Sequence, residues 1–270
     1  MNPFLPMALL AGCVAAVTSG VMGSYIVVKR IVFLSGSIAH SVLGGMGLFL
    51  WLKRVHGITC ITPLQGALVA AILSAFVIGW IHLRYRERED TVIAAIWSTG
   101  MAIGVIFISL TPGYNVELMN FLFGNILWVT RSDIYLLISL DVLVVLSTLL
   151  CYRKFLAVSF DEEQTALQGV SVKGYYLFLL CLVAISVVVL IEVVGAILVI
   201  TMLAIPAAIA GSWTKNLKKM MGIAVLLGCL FTGVGLGASF QLNWPPGATI
   251  ALVAALFYII NFLRASSSGR

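Results

Sequence analysis

Charge is scarce in this chain: Asp and Glu number 10, and Lys and Arg 16, among 270 residues. Those few gather in short clusters between long apolar runs. One run extends uncharged from Met220 to Leu263, and Gly174 to Thr214 contains Glu192 alone. So little polar surface excludes a water-soluble protein of this size and leaves no place for a soluble catalytic domain. Cysteine is sparse as well. Cys13, Cys151, Cys181 and Cys229 lie within or beside apolar runs and Cys60 lies in a loop, a scatter that offers neither a disulfide framework nor a CxxC metal pair. The chain lacks a phosphate-binding loop, an HExxH motif and any Ser-His-Asp order that fits an enzyme site. The expectation is therefore no enzyme, with any use of ATP belonging to another chain.

What is present is apolar sequence in continuous, helix-length runs. Hydrophobic residues make up 61% of the chain, and the mean hydropathy is +1.13. Runs that do not alternate exclude a β-barrel and predict an all-α polytopic membrane protein, a single domain over 1–270 with about eight or nine transmembrane helices in one bundle. The spans are expected at 5–28, 33–52, 62–83, 91–110, 133–152, 174–191, 193–212, 219–238 and 247–263. The division at Glu192 and Gly195 is the least marked. Without a basic leader region, Leu5 to Val28 reads as a retained first span. Leu118 to Val129, after the Pro112-Gly113 turn, is too short to cross and reads as a re-entrant or interfacial helix.

The net charge of +6 has a membrane explanation before a nucleic-acid one, because the basic residues flank spans. Nine spans with an external N-terminus put Lys29-Arg30, Arg84-Arg86-Arg88, Arg153-Lys154, Lys215-Lys218-Lys219 and Arg264 inside, with Lys53, Arg54 and His56 as the exceptions. The same topology places the polar stretch 159–173 (SFDEEQTALQGVSVK) in the cytoplasm. It predicts a short amphipathic helix with acids at its start, Ala166 and Leu167 toward one side, and Gly169 as turn or C-cap. Such a segment is an ordinary loop or a docking helix.

Polar residues inside spans are the candidates for a transport path. His40 lies two turns into the second span, in GSIAHSVLGGMG, where Gly36, Gly44 and Gly47 share its helix face and Gly45 adjoins it. Small residues permit close packing, and a neutral imidazole is a ligand for Zn²⁺ or Mn²⁺. One histidine is equally a bundle-packing residue, and His56 and His82 sit near span ends. Asp141, in SLDVLVVL, must face the bundle and find a donor; packing and path roles both fit it. Glu192 caps a turn or attracts cations at an external entrance. Pro206, in AILVITMLAIPAAIAG, removes a backbone donor and can bend its span, as an inert kink or as part of a gate.

These residues sit in blocks that resemble the membrane-spanning subunits of bacterial ABC importers for zinc, manganese or iron. The likeness covers almost the whole chain. Its clearest blocks are GSYIVVKRIVFLSGSIAHSVLGG (Gly23 to Gly45), NFLFGNILWVTRSD (Asn120 to Asp133) and VVGAILVITMLAIPAAIA (Val193 to Ala210), with Asp161 to Gly169 and NWPPGATI also alike. The resemblance implies a multi-pass permease of the bacterial cytoplasmic (inner) membrane, paired with a second identical or related permease subunit around one pathway. It also implies cytoplasmic ATPases that bind ATP, an extracytoplasmic metal-binding protein that docks outside, and a divalent metal as cargo with no tightly bound cofactor. Asp161, Glu162, Glu163, Ala166 and Gly169 match the family's coupling region, and His40 matches its pathway histidine. Two positions depart from the usual pattern: Gly36 stands where many relatives have an aspartate, and Asn125 where the LFG motif often continues with one. An ion-gradient-driven metal transporter and a structural membrane assembly subunit are the alternatives.

Overall fold

The computed structural model describes residues 4–85, 89–113, 121, 124 and 126–268. Among them the chain is helical and contains no strand: α1 (Phe4–Val28), α2 (Val32–Val55), α3 (Pro63–Tyr85), α4 (Glu89–Leu110), α5 (Arg131–Phe160), α6 (Glu162–Leu167), α7 (Val172–Val194), α8 (Ala196–Trp213), α9 (Leu217–Leu242) and α10 (Pro246–Ser268). All but the six-residue α6 are long and apolar enough to cross a membrane, which gives nine candidate spans among the described residues. Helix is the form expected of such runs, since in hydrocarbon each backbone donor and acceptor must find its partner within the segment.

The helix ends follow local chemistry. Asn216 caps α9 by accepting from the N–H groups of Lys218 and Lys219 at 3.0 and 3.3 Å. Asn243, one of the residue types that tolerate a left-handed conformation, closes the same helix at φ 55°. The division between the sixth and seventh spans falls at Gly195, whose φ of 84° suits glycine and separates α7 from α8. The fifth span runs further than expected. Instead of ending near residue 152, α5 continues to Phe160 and carries Arg153 and Lys154 on its last turns. There Lys154 Nζ donates to Tyr175 Oη at 2.5 Å, and Phe155 is fully buried against the rings of Tyr175 and Phe178. Of the segment expected as a re-entrant helix, residues 118–120, 122, 123 and 125 lie outside the described residues. Ile126–Trp128 forms a single 3-10 turn with Ile126 buried and Trp128 exposed. Arg86 and Arg88 also lie outside the described residues.

The chain divides into two compact units. One comprises Met1–Arg30, Met119–Leu146 and Val189–Arg270, and the other Ile31–Leu118 and Ser147–Val188. In the first, α1 lies against α9 and α8 along a line of small residues: a methyl on Gly20 would sit 2.7 Å from the Val225 nitrogen, and one on Gly228 would sit 2.8 Å from Ala16 Cβ. In the second, α2 packs with α3 on one side and α4 on the other. A methyl on Gly44 would lie 2.8 Å from Gly100 O, one on Gly47 2.8 Å from Gly104 O, and one on Gly45 2.6 Å from Ala70 Cβ. Helices in a membrane gain little from the hydrophobic effect, so this backbone-to-backbone approach, with its dispersion contacts, is what holds them.

Candidate functional site

His40 projects from α2 toward α4. Its ring is half-buried and stacks on Trp97 with centroids 4.5 Å apart and planes 10° from parallel. The surrounding seam fixes this placement. Ser37 Oγ donates to Ile93 O at 2.9 Å one turn before it, and Gly44 and Gly47 follow on the same face against Gly100 and Gly104. The helices are thus held close on both sides of the imidazole, which is positioned by stacking. Among the described residues neither ring nitrogen of His40 has a hydrogen-bond partner. A nitrogen lone pair in that condition is free to meet a cation.

Gly36 behaves differently from the other glycines on this face. It is buried, yet a methyl there would meet no atom within 4 Å, so the close packing that Gly44, Gly45 and Gly47 require is not required at Gly36. Regular spacing alone made Gly36, Gly44 and Gly47 look equivalent. A groove of about 440 Å³ runs between α3 and α4 over the glycine floor of α2, lined by Ser41, Gly45, Gly66, Ser74 and Thr99 among mostly apolar neighbours. His40 does not line it, and its walls offer hydroxyls but no strong metal ligand.

Asp141 has a different setting, in the other compact unit. Its Oδ1 accepts from the Thr18 N–H at 3.1 Å and from Thr18 Oγ1 at 2.5 Å, which ties α5 to α1 and accounts for a carboxylate within an apolar helix. Glu192 is exposed one turn before the Gly195 break. Pro206 is buried inside α8; it cannot supply the N–H that would ordinarily reach back to Met202 O. Among the described residues no three His, Cys, Asp or Glu side chains assemble as a metal cage.

The 159–173 stretch folds as expected in outline. Asp161 is the N-cap of α6, with its Oδ1 accepting from the Gln164 N–H at 2.9 Å. Gly169 ends the segment at φ 77°, its N–H bonded to Ala166 O at 3.0 Å. The buried residue is Thr165, whose Oγ1 donates to Asp161 O. Ala166 and Leu167 turn outward, Leu167 with 89% of its surface exposed. Glu162 Oε1 lies 3.4 Å from Nε2 of His82 at the end of α3, and the His82 ring packs on Tyr176 of α7 with centroids 4.7 Å apart. Sequence reasoning missed Trp97, Thr18 and His82 as partners. Each is distant in the chain from the residue it meets, and no local pattern marks the pairing.

Among the described residues, nine helices long and apolar enough to cross a membrane define a polytopic membrane protein. Comparison with known proteins narrows this. Residues 1–265 match the profile of the ABC 3 transport family. A "Probable metal transport system membrane protein" of Chlamydia pneumoniae is 52% identical over 250 residues, covering 92% of this chain and 85% of that protein. A manganese transport system membrane protein of Listeria monocytogenes is 33% identical over 266 residues, covering 98% and 92%. Among solved structures, PsaBC from Streptococcus pneumoniae in complex with Fab superposes with a TM-score of 0.83 at 29% identity, covering 97% of this chain and 92% of that one. The chain belongs to the ABC 3 transport family, as a multi-pass permease subunit of the bacterial cytoplasmic membrane.

Proposed function

We propose that this chain, acting as one permease domain over 1–270, carries a divalent transition metal inward past His40. Work is supplied by cytoplasmic ATPases that dock on the segment within 159–173. The family assignment makes it the membrane component of a metal-ion ABC importer and displaces the two alternatives, a gradient-driven transporter and an assembly subunit. The observation that carries the pathway reading is the imidazole itself: held by Trp97, half-buried, and with both nitrogens unengaged among the described residues. Imidazole suits Zn²⁺, Mn²⁺ and Fe²⁺ better than hard ions such as Mg²⁺ or Ca²⁺. With Gly36 in place of a carboxylate, one protein ligand from α2 holds the ion weakly, which favours passage over storage. A second copy of this chain or a related subunit completes the pathway, and an extracytoplasmic metal-binding protein delivers the ion. Glu192, exposed near the end of α7, attracts it.

Support for the docking role comes from the outward face of α6. An 89% exposed Leu167 beside exposed Ala166, on a helix capped at one end and closed by glycine at the other, forms a small rigid knob. Membrane vesicles holding this chain, its ATPase and its binding protein test the function. Zn²⁺, Mn²⁺ and Fe²⁺ are offered separately, beside a complex whose ATPase is inactive. Uptake of one of them only with the active ATPase is the expected result. Uptake independent of the ATPase, or none from an intact complex, contradicts it.

A further inference from the structure

The acids of the 159–173 segment do not all face a partner. Asp161 is occupied in capping α6. Glu162 turns back to the body of the unit, where its carboxylate oxygen lies within hydrogen-bond distance of His82 Nε2, both side chains being largely covered at 30% and 22% exposure. His82 is itself backed by Tyr176, which is 1% exposed. One turn before His82, a methyl on Gly79 would lie 2.6 Å from Leu177 and 2.9 Å from Leu180, so α3 and α7 are in close contact where the imidazole emerges.

The same helix reaches the candidate pathway. Ser74 of α3 donates to Ser41 Oγ at 2.8 Å, and Ser41 directly follows His40 on α2. From Ser74 to His82 is about two turns of α3, roughly 12 Å of rise. A helix of that length, packed on both sides, moves as a rigid rod.

We propose that His82 is a positioning residue that fastens the coupling helix to α3, and that α3 carries the displacement of α6 to the His40 region of α2. This rests on the reading of α6 as the docking element, and it changes the part assigned to Glu162. Glu162 is an internal fastening, while Leu167 and Ala166 form the face offered to the ATPase. The imidazole N–H donates to the carboxylate, and the tilted Tyr176 ring keeps the imidazole from swinging away. Breaking this bond leaves the knob in place but lets it move without pulling α3.

The test uses the full complex in vesicles and reads metal taken up per ATP hydrolysed. With His82→Ala or Glu162→Ala, that ratio is expected to fall at least about fivefold while the ATPase still co-purifies. The double variant is expected to be no worse than either single one, because both remove one bond. His82→Gln, which keeps an N–H donor, is expected to recover much of the ratio. A normal ratio in both single variants, additive losses in the double, or no recovery with Gln overturns the proposal. Should an alanine variant fail to insert, His82→Phe and Glu162→Met, which keep the bulk and remove the donor and the acceptor, supply the same comparison. Leu167→Asp separates the two readings. If it retains the ATPase with normal coupling, the docking assignment fails. If it loses the ATPase while the His82 and Glu162 variants couple normally, only the fastening fails.

Discussion

His40 and Asp141 are both polar side chains within apolar spans, and their surroundings differ in kind. Asp141 is satisfied: two donors from one threonine reach the same carboxylate oxygen, and they join α5 to α1. His40 is held in place but not satisfied. A flat stack on Trp97 fixes the ring while both nitrogens remain without a hydrogen bond among the described residues. A buried polar group that already has its partners contributes to the architecture. One that is oriented by apolar contact and left with a free lone pair can accept a ligand without first losing a bond. On this contrast we propose that the histidine belongs to the transport path and the aspartate to the frame.

The contrast can be attacked from several directions. Gly44→Leu should have the largest effect on the frame around His40. Its side chain would be driven into the Gly100 carbonyl, and overpacking of that sort costs about 1–3 kcal/mol or more. Little folded protein should be recovered from membranes, and normal yield would show that the α2–α4 approach is not needed. Asp141→Ala comes next, with a loss of about 1–2 kcal/mol expected from its two hydrogen bonds, fewer than in water because unfolded helices in lipid find other partners. Thr18→Val removes the hydroxyl and keeps the backbone donor, so the thermal unfolding midpoint in detergent should fall only part as far. Equal midpoints for Asp141→Ala and wild type would remove its structural role. Trp97→Ala deletes the stack and should cost about 1 kcal/mol, with the uptake rate falling alongside because the imidazole is no longer oriented. Unchanged uptake would mean that the stack is incidental. Gly36→Ala should be the mildest, within about 0.5 kcal/mol, since nothing opposes a methyl there. A strong defect in yield would point to a contact made by a second subunit.

Much of the architecture could be read before any coordinates, for a physical reason. In lipid a long apolar run has almost no choice but helix, so the nine expected runs correspond to nine long helices among the described residues, and Gly195 marked the break between α7 and α8. The short helix within 159–173 was readable too, because acids at its start and a glycine at its end act on neighbours a few residues away; that Asp161 is the capping acid came from the structure. The end of α5 was not readable, since its extension past Tyr152 depends on Tyr175 and Phe178, which come from another helix. The site was only half visible. His40 stood out as a polar residue in an apolar span, but its stack with Trp97, the Thr18 donors to Asp141 and the His82–Glu162 contact all join distant stretches. Gly36 shows the limit of spacing as an argument, because it shares the period of Gly44 and Gly47 without sharing their contact.

The most direct test compares His40→Ala with Asp141→Asn in ATP-driven metal uptake, at matched amounts of assembled complex in vesicles. Losing the proposed imidazole ligand of α2 should lower the initial rate about tenfold or more, whereas Asp141→Asn, which keeps an acceptor for Thr18, should stay within about twofold of wild type. The reverse order, with His40→Ala transporting normally and Asp141→Asn inactive, would contradict the assignment of path and frame.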